Sequence, residues 1–125
     1  EVLELFPILK ERKSLPARSL SGGQQQMLAI GRTLVLKPSL IMLDEPSLGL
    51  APKISRQIFE SVNTLRESGL TVVLVEQNAR LGLEAADWGV VLDLGATDIF
   101  DEAQKILHNP RIRELYLGKG VRKEA

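Results

Sequence analysis

Two short apolar runs, Leu40–Leu43 and Leu70–Val75, flank a segment with helical spacing, and this pattern restricts the chain to few folds. Runs that short and that apolar suit buried strands of a parallel sheet better than alternating, half-wet ones. Between them Ile54, Ile58, Val62 and Leu65 share one helical face. Pro52 suits that helix's first turn and Gly69 the position just past its end. Together these signals predict a strand–helix–strand unit with parallel strands and a right-handed crossover. The fold class is α/β.

The composition narrows the possible partners. A chain of 125 residues that is 44% hydrophobic is enough for one domain or part of one. Sixteen basic and sixteen acidic residues cancel, so no overall basic field favours nucleic acid as a partner. Zero cysteines rule out disulfides and thiolate metal sites. No apolar stretch approaches the roughly 20 residues that span a bilayer, and no charged-then-apolar start suggests a signal peptide. A role at a membrane would be peripheral.

Upstream of the first strand, Val2, Leu5, Phe6 and Leu9 have helical spacing that Pro7 disturbs, and Glu11–Leu20 reads as a connecting loop. Ser21 followed three residues later by Gln24 reads as a capping box, so a helix is expected to start there. Met27, Leu28, Gly31, Leu34 and Val35 fall on its apolar face, and Lys37-Pro38-Ser39 ends it. Downstream, Asn78–Ala86 predicts a short helix and Val90–Leu92 a strand turning near Leu94-Gly95. Ala103, Ile106 and Leu107, then Ile112, Leu115 and Tyr116, predict two short helices separated by Asn109-Pro110. Trp88 reads as a packing residue, His108 as a surface helix end, and the Arg111, Arg113, Lys119, Arg122 and Lys123 group as a solvated face.

Two places carry chemistry. Ser21-Gly22-Gly23 leading into a helix offers unpaired backbone N–H groups and the positive end of a helix dipole, which suits an anion. By itself the same tripeptide reads better as a plain cap and turn. Asp44-Glu45 stands beyond the carboxyl end of an expected parallel strand, where open α/β sheets bind ligands. In isolation, Asp-Glu-Pro reads better as a turn cap.

Together the runs Leu20-Ser21-Gly22-Gly23-Gln24, with Ala29-Ile30-Gly31-Arg32 behind it, and Leu40-Ile41-Met42-Leu43-Asp44-Glu45-Pro46 resemble two motifs of the ATP-binding-cassette (ABC) ATPases. These are the signature loop and the Walker B strand, here in the family's order and at its short separation. No Gly-x-x-x-x-Gly-Lys-Ser/Thr phosphate loop occurs in the chain and its first residue is Glu1. The resemblance therefore makes residues 1–118 the C-terminal part of an ABC ATPase domain of the P-loop NTPase class, with mainly parallel strands and flanking helices, and residues 119–125 a charged tail. It implies ATP and Mg²⁺ as cofactors. Ser21, Gly22, Gly23 and Gln24 would meet nucleotide held by a second ATPase subunit, Asp44 would hold Mg²⁺ through water, and Glu45 would polarise the attacking water. The chain alone is expected to be inactive.

Two positions depart from the general family pattern. Ser47-Leu48-Gly49-Leu50-Ala51 has Ala51 where an Asp is usual, and Glu76-Gln77-Asn78 has Gln77 where a switch His is usual. Gln can exchange hydrogen bonds but cannot titrate, which leaves Glu45 as the base and Gln77 as a polar switch residue. From spacing alone, Gln77 reads equally as a cap on the next helix. Both departures, with Asn109-Pro110 and Tyr116-Leu117-Gly118, resemble the ATP-binding subunits of bacterial branched-chain amino acid importers. The resemblance is weakest over Ala96–Gln104, where Asp98 and Asp101 interrupt the expected apolar hairpin. That branch implies transmembrane permease subunits as partners, an amino-acid-binding protein as an indirect one, and a peripheral place on the cytoplasmic face of the membrane. The alternatives are a non-transport ABC protein acting on ribosomes or DNA, which attached coiled coils, a second cassette or a basic surface would favour, and a noncatalytic dimerisation module.

Overall fold

The computed structural model describes residues 2–115. They form two compact units, one reaching to Val75 and one beginning at Glu76.

The first unit contains α1 (Val2–Leu5), α2 (Pro7–Glu11), a 3₁₀ turn (Ala17–Ser19), α3 (Gly22–Leu34), β1 (Leu40–Asp44), α4 (Pro52–Glu67) and β2 (Thr71–Val75). Pro7 opens α2 because it has no N–H to continue α1, and the break buries Phe6. The two short helices lie close to α3 because Gly31 has no side chain: a Cβ there would run into Val2 and touch Phe6. Phe6, Leu9, Leu20, Met27, Ile30 and Ile58 form the core, with Leu43, Leu50 and Ile54 against it. Each such aliphatic side chain, fully buried, contributes about 1.5–3 kcal/mol.

The buried stripe of α3 is Gly23, Met27, Ile30 and Gly31, so Ile30 belongs to the core and Val35 does not. Val35, the C-cap residue of α3, is 69% exposed. In α4, Pro52 occupies the first turn, Ile58 and Val62 are buried, and Gly69 follows the helix at φ +94°, where a side chain would be strained. Buried Ser55 and Ser61 satisfy their hydroxyls by donating to the carbonyls of Ala51 and Gln57.

β1 and β2 pair in parallel as the sequence predicts, from Leu40 opposite Thr71 to Asp44 opposite Val75. Their burial departs from expectation. Ile41 is buried and Leu43, Val72 and Leu74 are half-buried, whereas Leu40, Met42, Val73 and Val75 are exposed. Successive side chains point to opposite faces of a pleated strand, and only one face is covered among the described residues.

The second unit contains α5 (Ala79–Glu84), β3 (Trp88–Asp93), β4 (Ala96–Glu102), α6 (Ala103–His108) and α7 (Pro110–Leu115). β3 and β4 form an antiparallel hairpin whose two-residue turn, Leu94-Gly95, has φ of +47° and +80°. Leu83, Ala103, Ile106 and Ile112 form the core of this unit, and a Cβ at Gly89 would collide with Leu83 and Ile106.

The two aspartates that interrupt the hairpin have partners. Asp98 pairs with Arg111 of α7 at 3.1 Å, and Arg111 itself stays exposed. Asp101 accepts from the Glu102 N–H at 2.8 Å and pairs with Lys105. The Glu102 N–H, then Lys105, hold its carboxyl below the usual carboxylate range. Trp88, expected as a packing residue, is 58% exposed and lies tilted against Phe100 at 5.5 Å. His108 ends α6 in an exposed position, as its neighbours Asn109-Pro110 suggest. Tyr116-Leu117-Gly118 and the charged tail lie outside the described residues.

Candidate functional site

The first candidate element is the start of α3. Ser21 has extended backbone angles and caps the helix, its Oγ accepting from the Gln24 N–H at 3.4 Å. Gln24 completes the box by accepting the Ser21 N–H at its Oε1, 3.1 Å away. The Gln25 N–H donates to the Ser21 carbonyl at 2.8 Å and begins the helical ladder. Helix geometry leaves the N–H groups of Gly22 and Gly23 without an intrahelical acceptor, and the Ser21 hydroxyl proton stays free to be donated. Two backbone donors and one hydroxyl, at the positive end of a 13-residue helix, form an anion-accepting turn. Gln24 is turned inward to the box through its oxygen, so its remaining capacity is the side-chain NH₂.

This turn is packed from behind. A Cβ on Gly23 would overlap Ile54 in the first turn of α4, and one on Gly22 would touch Leu50. The start of α3 therefore rests on the Ser47–Ala51 loop and the start of α4. The glycines permit that approach.

The second element is the end of β1. Asp44 is exposed at the last strand position, opposite Val75, and the Glu45 N–H extends the pairing by donating to the Val75 carbonyl at 2.8 Å. Glu45 then adopts φ +44°, in the left-handed region that non-glycine residues rarely occupy. Pro46 behind it is fully buried. The Leu48 N–H donates to the Glu45 carbonyl at 3.0 Å and Gly49 takes φ +72°, which turns the chain back toward α4. The carboxylate of Glu45 is thus carried on a tight turn anchored at both ends, and backbone strain of this kind concentrates at functional sites.

Ala51 is the N-cap of α4 and supplies no side-chain bond; its carbonyl accepts from the Ile54 and Ser55 N–H groups. Gln77 is exposed in the bend before α5. The cap of that helix is Asn78, whose Oδ1 accepts from the Leu81 N–H at 3.2 Å. The capping role open to Gln77 from spacing is therefore filled by its neighbour.

No group of three or more His, Cys, Asp or Glu side chains gathers into a metal cage among the described residues. One exposed carboxylate, Asp44, beside another at Glu45 does fit Mg²⁺, which takes one or two protein carboxylates and fills its remaining positions with water and phosphate oxygens.

The pairing of a capped Ser-Gly-Gly helix start with an Asp-Glu strand end, on one compact unit, has parallels in known proteins. The family model described as ABC transporter matches residues 1–48, which take in both elements. The high-affinity branched-chain amino acid transport ATP-binding protein BraG of Pseudomonas aeruginosa is 56% identical over 118 residues, covering 94% of this chain. The chain belongs to the ABC transporter ATP-binding family. It spans about half the length of the relatives it matches, 51% in the case of BraG. A nucleotide-free ATP-binding cassette from an ABC transporter superposes with a TM-score of 0.78 at 30% identity, over 94% of this chain and 48% of that one. A dimeric bacterial ABC transporter cassette superposes with a TM-score of 0.68 at 29% identity, over 82% of this chain and 45% of that one. The fold is that of part of an ABC ATP-binding cassette.

Sequence reasoning found the Ser21–Gln24 capping box but gave no role to Gln25, whose side chain bonds the 3₁₀ turn ahead of Ser21. A glutamine in a helix's first turn carries no distinguishing sequence signal.

Proposed function

We propose that residues 1–118 act as the signature and Walker B half of an ATP-hydrolysing ABC importer subunit that energises uptake of branched-chain amino acids. The observation that carries this reading is the 56% identity to BraG across both chemical elements. In the completed subunit, Asp44 would hold Mg²⁺ and Glu45 would act as the base. Mg²⁺, when bound, supplies charge neutralisation on the β- and γ-phosphate oxygens. Ser21, Gly22 and Gly23 donate to phosphate oxygens of nucleotide held by a second ATPase subunit, and Gln24 holds Ser21 in place. Gln77 acts as a hydrogen-bonding switch residue that cannot take a proton.

The placement is peripheral, at the cytoplasmic face, on transmembrane permease subunits, with an amino-acid-binding protein as an indirect partner. No helix among the described residues is long and apolar enough to cross a membrane, which is compatible with that placement. The formal charge of zero favours this reading over a cassette acting on nucleic acid.

The reading is tested by a chimera in which this chain replaces the matching half of BraG, whose remaining half is asked to supply a phosphate-binding loop. The chimera should hydrolyse ATP with Mg²⁺ and should restore branched-chain amino acid uptake in cells lacking BraG. The 125-residue chain alone should show no turnover. A chimera that hydrolyses ATP without restoring uptake would redirect the assignment to a different cassette function.

A further inference from the structure

Gln25 holds the signature turn from outside it. Its side-chain amide donates to the Leu20 carbonyl at 3.1 Å and to the Ala17 carbonyl at 3.4 Å, spanning the 3₁₀ turn that precedes Ser21. The Leu20 carbonyl and the Ser21 N–H belong to one planar peptide unit. Gln25 grips that unit at its carbonyl end and Gln24 grips it at its N–H end, accepting from Ser21 at 3.1 Å. The next peptide unit is also fixed, because the backbone N–H of Gln25 donates to the Ser21 carbonyl at 2.8 Å and that same plane carries the Gly22 N–H. Both peptide planes flanking Ser21 are thus oriented by residues 24 and 25. The buried Leu20 side chain anchors the turn from the other side.

We infer that Gln25 is a positioning residue for nucleotide engagement in trans: it sets the plane of the Leu20–Ser21 peptide, and through it the direction of the Ser21 hydroxyl and the Gly22 and Gly23 N–H groups. It does not touch nucleotide. The inference rests on the signature role proposed above, in which those donors meet phosphate oxygens held by a partner subunit. Donors aimed before the partner arrives need no rearrangement at closure, and a misplacement of about 1 Å from outside the chemistry can lower rate about 10²-fold.

The test uses Gln25→Met, which keeps length and removes the donor without adding charge, and Gln25→Arg, which restores an N–H donor. In the chimera with the BraG half, Gln25→Met should lower ATP-dependent dimerisation and turnover together, by about tenfold or more. The ATP dissociation constant of the open monomer and the unfolding temperature should stay unchanged, and Gln25→Arg should recover most of the loss. Full activity in Gln25→Met, or an equal loss in both variants, would overturn the inference.

A second readout needs no turnover. In the 125-residue chain, Gln25→Met should speed amide exchange at Ser19 and Leu20, whose N–H groups bond the Pro16 and Ala17 carbonyls, and leave α4 unchanged. Unaltered exchange at those two amides would reject the positioning role even if the ATPase reading stands. A chimera without Mg²⁺-dependent ATP turnover would instead reject the ATPase reading, and the amide exchange at Ser19 and Leu20 would still decide whether Gln25 positions the turn.

Discussion

Gly23 and Ile54 interlock: the Ile54 side chain occupies the space that a Cβ at position 23 would need. One residue belongs to the second position of α3 and the other to the first turn of α4, so the capped start of α3 and the segment after β1 share a packed contact. A substitution at Gly23 therefore acts on the fold as well as on any phosphate. Gly23→Ala should destabilise the chain by about 1–3 kcal/mol, the usual range for overpacking. In an Ile54→Ala background most of that cost should vanish, because the obstructing methyl groups are gone. Chemical denaturation of the four proteins in this cycle measures the coupling, and strict additivity would show that the two side chains do not interact.

Ala51 caps α4 without a side-chain acceptor, although many ABC ATPases carry an aspartate in that register. An N-cap carboxylate accepts from the helix's free N–H groups and faces the positive end of its dipole. Ala51→Asp should stabilise the chain by about 1 kcal/mol at neutral pH. The gain should fade as pH falls through the carboxyl's folded pKa, since protonation removes the charge. An unfolding free energy that does not rise, or that rises equally in acid, would contradict the capping geometry.

The wet side of the parallel pair has its own consequence. Leu40, Met42, Val73 and Val75 share that face, and Met42 is 74% exposed. Apolar patches on strands bind hydrophobic dyes and associate. Met42→Lys with Val73→Glu, an opposite-charge pair across the two strands, should lower dye fluorescence and shift sedimentation toward monomer, with little change in unfolding temperature. Unchanged dye binding would place the sticky surface elsewhere, the Trp88–Phe100 side of the hairpin being the next candidate.

Much of this architecture was legible because its determinants are local. The Ser21–Gln24 box needs two residues three apart, Pro52 and Gly69 bracket α4 within its own sequence, and Leu94-Gly95 marks the turn after β3. The returning strand β4 was not legible, because Asp98 and Asp101 break its apolar pattern. What stayed hidden depends on distance or on backbone conformation. Leu40–Leu43 is apolar at every position, so its composition cannot say which face the rest of the molecule covers. The Gly23–Ile54 interlock joins different helices, and the left-handed turn at Glu45 has no glycine to announce it. Asp98 looked like a defect in an apolar hairpin until Arg111, brought up by α7, supplied its partner.

Leu94 is fully exposed and holds φ +47° in the hairpin turn, a conformation that costs a branched apolar residue about 1–2 kcal/mol. Asparagine visits that region readily and suits two-residue turns followed by glycine. Leu94→Asn should raise stability by about 1 kcal/mol, read as a higher unfolding temperature. A drop in unfolding temperature would mean that Leu94 is held by contacts outside the turn.

The role of Glu45 admits the most direct test of the whole account. Its carboxylate stands on a left-handed residue just past Asp44, with its N–H fixed to Val75, and an amide of the same shape cannot accept a proton from water. The measurement is steady-state ATP turnover by the chimera carrying the BraG half, with and without Glu45→Gln, alongside ATP binding and dimer formation. Turnover should fall by about 10²–10⁴-fold. ATP binding should persist and the closed dimer should accumulate. Undiminished turnover in the glutamine variant would contradict the assignment of Glu45 as the base, and with it the proposed mechanism.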